Sequence, residues 1–393
     1  MQGMRFVPRA ASERLERLLR DFPVVLVLGP RQCGKSTLVR AARPDWMHLD
    51  LERPADLALL QADLEGFLRQ HPRRVAIDEA QRLPELFTAL RHFVDRTPGR
   101  GRFLLTGSAG PGLVRTLSES LAGRVGMLEL TPFRAAEVCG SRYAAGRWFF
   151  GGFPPVHARR GSAARMEWLD AYVTALLERD LPSLGVRLPA PRLRSLCGML
   201  THVHGNLLNV SDLARSLGVS SHTVSGDLDV LEQTFLLRRL SPYHANVQKR
   251  LTKSPKVYLR DTGILHLLAG LREPTSLRTW ARRGASFEGL VIEELVAWAR
   301  DHFVRPEAFF WRTQAGGEVD LLLVHGQRRV PIEIKLGSTV EPKQLTGLRS
   351  CMEDLGLRRG FVVYTGEERR PVGASIELVP WNEIARGQID LPL

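Results

Sequence analysis

An apolar run, Pro23-Val24-Val25-Leu26-Val27-Leu28, leads directly into Gly29-Pro30-Arg31-Gln32-Cys33-Gly34-Lys35-Ser36-Thr37. The run reads as a buried strand and the nine residues as a Gly-x-x-x-x-Gly-Lys-Ser phosphate loop. The glycines let backbone N–H groups close around an anion, and Leu38-Val39-Arg40 opens a helix whose N-terminus favours negative charge. Strand, loop and helix in that order predict ATP bound by residues 29 to 37. Lys35 is placed to reach the β- and γ-phosphates and Ser36 to ligate Mg2+.

Downstream, Arg74-Val75-Ala76-Ile77-Asp78-Glu79-Ala80-Gln81 is a short apolar strand ending in adjacent carboxylates. Asp78 is expected to hold the magnesium ion and Glu79 to orient the attacking water, since phosphoryl transfer needs positioning and charge neutralisation more than covalent help. Phe103-Leu104-Leu105 leads to Thr106-Gly107-Ser108, where a small hydroxyl can sense the γ-phosphate or simply end a strand. Leu121-Ala122-Gly123-Arg124-Val125 puts Arg124 on a glycine turn, the candidate arginine finger in cis or in trans. Alternating strands and helices after a phosphate loop predict an α/β fold with a doubly wound parallel sheet and the nucleotide at the carboxyl ends of its strands. The expected ATPase domain spans residues 1–150.

The chain carries 55 Lys plus Arg against 42 Asp plus Glu. Only six are lysines, at 35, 249, 253, 256, 335 and 343, so a retained lysine marks a place where a compact point charge is useful. Residues 281–393 hold 15 Lys plus Arg against 16 Asp plus Glu, and the preceding 280 hold 40 against 26. Attraction to a polyanion therefore belongs to the first two thirds. Cys33, Cys139, Cys197 and Cys351 lie far apart, without zinc spacing or a disulfide framework. No run is long enough for a membrane span and no signal-peptide core opens the chain, so a cytoplasmic location without membrane partners is expected.

Residues 151–205 read as a helical lid or linker, with Trp168, Leu169, Tyr172, Val173, Leu176 and Leu177 at helical spacing. Residues 206–280 read as a winged helix-turn-helix. Ser211 and Ser220 or Ser221 are placed as caps, Gly218 as the turn, and Val224, Leu228 and Leu231 as the inward face. Ser221, His222 and Thr223 at the second helix and Lys249, Arg250 and Lys253 in the wing are the candidate DNA contacts. Asp227, Asp229 and Glu232 put acid on the same helix and oppose that reading.

In residues 281–393, Glu318-Val319-Asp320 and Ile332-Glu333-Ile334-Lys335 form an Asp…Glu-x-Lys pattern on two neighbouring strands. Asp320 and Glu333 are expected to share a divalent metal, Glu288 to complete its shell, and Lys335 to orient a water for phosphodiester attack. The same charges can equally make a structural salt bridge or a centre that no longer cuts. The pattern resembles the restriction-endonuclease-like superfamily.

Phosphate loop, Asp-Glu-Ala-Gln, Thr-Gly-Ser, Ser-Leu-Ala-Gly-Arg and Gly151-Gly152-Phe153-Pro154 together resemble the bacterial and archaeal AAA-type ATPases that carry a C-terminal domain of unknown function, often nuclease-like. The resemblance covers essentially the whole chain. That family is similar in architecture to the signal-transducing ATPases with numerous domains. The functional expectation is a Mg2+-dependent ATPase that binds DNA, coupled to it or moving on it, as a homo-oligomer, a hexamer included. An ATP-gated switch or defence component with a C-terminal nuclease, and a regulator that contacts only proteins, are the alternatives.

Overall fold

The computed structural model describes residues 6–108, 121, 123–141, 144, 146–183, 189–243, 254–313 and 316–393. The chain divides into two compact units, with the main break after Phe133.

The first unit is built on five strands, β1 (Val24–Leu28), β2 (Met47–Asp50), β3 (Val75–Asp78), β4 (Phe103–Gly107) and β5 (Val125–Glu129), in the order β2-β3-β4-β1-β5. Every pairing is parallel. Parallel sheets need cover on both faces, and the composition of β1 supplies it. Val24 and Leu26 enter a core with Phe67, Ile77, Phe87 and Phe103, while Val25 and Val27 enter another with Leu15, Leu38, Leu104 and Leu128. Because β4 lies between β1 and β3, the segments leaving the carboxyl ends of these strands emerge side by side. Gly29, Asp78 and Thr106 therefore share one edge of the sheet.

The second unit begins at Arg134, earlier than the boundary expected at residue 150. The cause is tertiary. Within this unit Trp148 Nε1 donates to Ser286 Oγ at 3.1 Å, Phe149 stacks on His266 with centroids 5.2 Å apart, and Arg134 Nη1 meets Asp301 Oδ2 at 2.7 Å. None of these partners is local in sequence, so periodicity in residues 134–150 carries no trace of them.

A nine-stranded sheet runs through the second unit. Its strands are β6 (Asn206–Leu207), β7 (Leu237–Pro242), β8 (Lys256–Leu259), β9 (Glu307–Arg312), β10 (Glu318–His325), β11 (Arg328–Lys335), β12 (Gly360–Tyr364), β13 (Arg370–Val372) and β14 (Ile376–Pro380). Their order is β13-β14-β12-β11-β10-β9-β7-β8-β6. Strand β7 pairs in parallel with β9, Ser241 opposite Phe309 and Pro242 opposite Phe310, so backbone hydrogen bonding crosses the domain boundary expected at 280/281. Helix Arg283–His302 reinforces the junction with two successive carboxylates. Glu293 takes Arg238 and Arg260, whereas Glu294 takes Arg134, Arg147 and the Ala135 N–H. Successive residues on a helix point about 100° apart, which lets the pair hold two different segments.

Gly151-Gly152-Phe153-Pro154 also has a structural role in this unit. Asp261 caps the helix Thr262–Leu268, accepting from Gly263 and Ile264 N–H, and accepts from Gly152 N–H at 2.8 Å as well. Gly151 has φ +75°, and a Cβ there would lie 2.0 Å from Asp261 Oδ1.

Candidate functional site

The phosphate loop leaves β1 at Gly29, where a side chain would have no room: its Cβ would stand 2.2 Å from the Leu130 carbonyl. Arg9, buried and stacked over Phe133, donates to Cys33 O at 2.9 Å and to Thr131 O at 2.5 Å, tying the loop to the segment after β5. Cys33 is fully buried beneath the loop, and burial pushes its thiol above the ordinary range. Helix Lys35–Ala42 follows. Lys35 is buried, and its Nζ lies 3.0 Å from both Gly29 O and Pro30 O and 3.5 Å from Ser108 Oγ. Pro30, Gln32 and Thr37 complete the expected loop set, with Gln32 in a left-handed conformation at φ 60°. Arg31 turns away to pair with Glu52 at 2.7 Å.

The carboxylates converge on the same edge. Thr106 is buried at the tip of β4; its hydroxyl donates to Asp78 Oδ1 and accepts from Glu79 N–H at 3.3 Å. One hydroxyl thus fixes both acids. Glu79 has φ 54°, a conformation that costs a non-glycine residue energy and clusters at functional sites. Its carboxylate accepts from Gln81 Nε2 on one oxygen and from Ser108 Oγ at 3.5 Å on the other. Ser36, Asp78 and Thr106 line one cleft with Arg40 and His48. Asp50, in register with Asp78 on the neighbouring strand, adds a carboxylate that motif reading passes over, because β2 carries no signature of its own.

Arg124 lies elsewhere. It immediately precedes β5, whose first residue Val125 pairs with Val24, so it stands at the amino edge of the sheet, a strand length of roughly 15 Å from the loop. Its guanidinium is engaged by Asp95 through two hydrogen bonds, which also raises the arginine and lowers the aspartate from their ordinary values. This placement speaks against an arginine finger in cis.

In the second unit, helix Val210–Leu217 is capped by Asn209, whose side chain accepts from Asp212 N–H, so the expected Ser211 cap is displaced by two residues. Gly218 makes the turn at φ 64°, and Ser220 Oγ accepts from Thr223 N–H to open helix Ser221–Gln233. Ser221 and His222 are exposed, while Thr223 Oγ1 is shared with Ser220 at 2.9 Å. The opposing acids are dealt with locally. Asp227 is buried, and Asp229 and Glu232 both pair with Arg239. Lys249, Arg250 and Lys253 lie outside the described residues.

Glu288, Asp320 and Glu333 do come together, but around a side chain the motif does not include. Lys256, on β8 and nearly inaccessible, places Nζ 3.2 Å from Glu288 Oε1, 2.5 Å from Glu318 Oε1 and 3.3 Å from Asp320 Oδ1. Tyr258 Oη donates to the same Glu288 oxygen at 2.5 Å, and Ile334 N–H donates to Asp320 Oδ2 at 2.9 Å. Lys335 meets Glu333 Oε1 at 2.5 Å on their shared strand face. A bulge in β10 between Val319 and Leu322 sets the direction of Asp320. Burial, with the Asp320 charge adding to it, pushes the Glu288 and Glu333 carboxyls above the ordinary range. Burial alone would lower Lys256, but Glu288, Asp320 and Glu318 hold it well above its usual value. The signal for Lys256 was its rarity as one of six lysines.

The parallel sheet, the phosphate loop and the paired acids define a P-loop ATPase, and an AAA domain family model matches residues 21–139. Two further models match the remainder, a domain of unknown function (DUF8612) over residues 142–275 and another (DUF4143) over residues 283–384. Uncharacterized proteins of Mycobacterium tuberculosis (strain H37Rv) and Mycobacterium bovis are each 42% identical over 387 residues, 97% of this chain and 86% of theirs. The chain belongs to the family of these mycobacterial proteins. Among solved structures, the Walker-type ATPase of Pyrococcus abyssi matches with TM-score 0.43 and 16% identity, covering 66% of this chain and 94% of that one. A signal transduction ATPase with numerous domains from Pyrococcus horikoshii matches with TM-score 0.28 and 12% identity, covering 77% and 48%. Among the described residues no helix is long and apolar enough to cross a membrane.

Proposed function

We propose that the chain is a Mg2+-dependent ATP phosphohydrolase whose turnover responds to DNA held near the start of helix Ser221–Gln233. The observation that carries the catalytic part is the Thr106 hydroxyl, which fixes Asp78 and Glu79 together at the tip of β4, beside the loop bearing Lys35. The cleft lined by Ser36 and Asp78 offers the hard oxygen donors that magnesium prefers. Ser36 and Asp78 would hold that ion, which neutralises phosphate charge when bound. Lys35 exchanges its contacts with the Gly29 and Pro30 carbonyls for phosphate oxygens. Glu79, restrained by Gln81 and Ser108, orients a water and accepts its proton.

The DNA reading is supported by how the acids on the second helix are held. With Asp227 buried and Asp229 and Glu232 held by Arg239, Ser221 and His222 face solvent at a helix N-terminus, where phosphate is favoured. The +13 formal charge, concentrated before residue 281, draws the polymer in. A homo-oligomer with Arg124 acting in trans would first have to break its bidentate pair with Asp95.

The test is ATP hydrolysis by wild type and Glu79→Gln with single-stranded, duplex and branched DNA at fixed salt. DNA stimulation that the variant loses is the expected result. A Glu79-dependent rate indifferent to every DNA would transfer the regulating role to a protein partner, and normal hydrolysis by Glu79→Gln would remove the base assignment.

A further inference from the structure

The nuclease resemblance calls for a divalent metal between Glu288, Asp320 and Glu333, and the side chains present do not fit one. A metal bridging Glu288 and Asp320 needs carboxylate oxygens at roughly 2.0–2.6 Å with open coordination positions. Lys256 Nζ already lies within 3.3 Å of oxygens from both, and its third partner is Glu318. An ammonium has three donors, and here three carboxylates receive them. Other donors crowd the same acids: Asp320 Oδ2 accepts from Ile334 N–H, the Glu288 oxygen that meets Lys256 also accepts from Tyr258 Oη, and Glu333 Oε1 meets Lys335, which leaves Glu333 Oε2 as the buried oxygen without a hydrogen-bond partner among the described residues. Among the described residues no group of His, Cys, Asp and Glu is set to hold a metal ion.

Lys256 is also held in place. Its strand pairs on both sides, opposite Leu240 of β7 and Leu207 of β6, its side chain is 3% exposed, and Nζ lies 5.7 Å from the Phe310 ring centroid. The ladder fixes the backbone at Lys256, and withdrawing the ammonium would strip three carboxylates of their shared cation. Removing one partner of such a buried ionic cluster costs far more than opening a surface pair.

We propose that Lys256 is the resident cation of this centre, standing where a nuclease would bind its metal, so that the C-terminal module is a metal-free, non-cutting centre whose ionic core joins β8 to β10 and helix Arg283–His302. The residues Asp320, Glu333 and Lys335 then serve cohesion of the unit rather than phosphodiester attack.

The decisive measurement is Mn2+ binding by electron paramagnetic resonance on the full chain without nucleotide. It compares wild type, Asp320→Asn, Lys256→Met and the double variant Lys256→Met/Asp320→Asn. Wild type and Asp320→Asn should bind Mn2+ identically. Lys256→Met should gain a site that the double variant lacks, because removing the ammonium leaves uncompensated carboxylates. Mn2+ held by wild type and lost in Asp320→Asn overturns the proposal, as does a folded Lys256→Met that gains no site. Should Lys256→Met fail to fold, the comparison of wild type with Asp320→Asn still decides. Plasmid nicking by wild type that Asp320→Asn abolishes would overturn it independently.

Discussion

Replacing Thr106 with valine removes one hydroxyl and keeps the volume. That hydroxyl donates to Asp78 Oδ1 and accepts from Glu79 N–H, and the residue is 1% exposed, so no solvent takes over either bond. A hydrogen bond to a charged acceptor contributes about 1.5–3 kcal/mol, and leaving a buried N–H unpaired costs about 1–3 kcal/mol. Part of this falls on the ground state and lowers stability by about 1–2 kcal/mol. The rest appears as freedom of Asp78 and Glu79 in the transition state, and about 1.4–2.8 kcal/mol there lowers kcat roughly 10- to 100-fold. Because neither lost bond involves the loop that grips the phosphates, KM for ATP should move less than threefold, on the order of 0.6 kcal/mol. The assay is steady-state ATP hydrolysis at saturating magnesium together with a thermal melt, with Thr106→Ser as the control that restores the hydroxyl. A Thr106→Val enzyme with kcat within twofold of wild type and an unchanged melt would refute the bridging role, as would Thr106→Ser behaving no better than valine.

Other outcomes follow from the same geometry. Arg9→Ala removes two bonds to carbonyls that brace the loop at Cys33 and the segment at Thr131, so nucleotide affinity should fall about tenfold in equilibrium titration with Mg-ATP. Gly151→Ala forces a Cβ to within 2.0 Å of Asp261 Oδ1 at φ +75° and should cost about 3 kcal/mol or more in denaturant unfolding, with the Asp261 cap lost. Burial lowers His266 from 6.5 to about 4, His157 to about 4 and His204 to about 3. Each is depressed in the folded state, so its stabilisation is complete above pH 6.5 and is lost as pH falls toward about 4 or 3. For His266, held between Phe149 O and Ser286 Oγ, this is on the order of 3 kcal/mol. Melting temperature should fall steeply below pH 6.5 and less steeply in His266→Gln, whereas parallel curves would contradict the assignment. Arg124→Ala should leave single-chain kcat unchanged, since Asp95 holds it at the amino edge of the sheet, a strand length from the phosphate loop.

The nucleotide edge was legible in the sequence because its parts are local. An apolar strand announces β1 or β3, and the residues that follow are fixed in place by the strand itself. Asp50 and Arg9 escaped because they reach the edge only through strand order and a fold-back from the start of the chain. The inward face Val224, Leu228 and Leu231 was readable from helical spacing, and all three are fully buried. Asn209, two residues ahead of the expected cap, shows the usual imprecision of helix ends. The place of Lys256 among the acids was beyond reach for a different reason, although its rarity marked it. The pattern Asp…Glu-x-Lys specifies which acids meet, but the cation among them comes from a strand more than sixty residues earlier. Charge counts and strand alternation hold no record of that pairing.

The parallel ladder between β7 and β9 bears on how this chain is made. A truncation at residue 280 would leave β7 with an open edge where Ser241 and Pro242 should find Phe309 and Phe310, and the released C-terminal piece would expose the matching edge of β9. Open edges of this kind recruit other chains. On a ribosome, β7 and β8 emerge long before β9, so the helical pair and its strands must wait, unfinished, for about fifty more residues of synthesis. Expression of either half alone should therefore give inclusion bodies, and the interval before β9 emerges is the period in which the nascent protein most needs a chaperone.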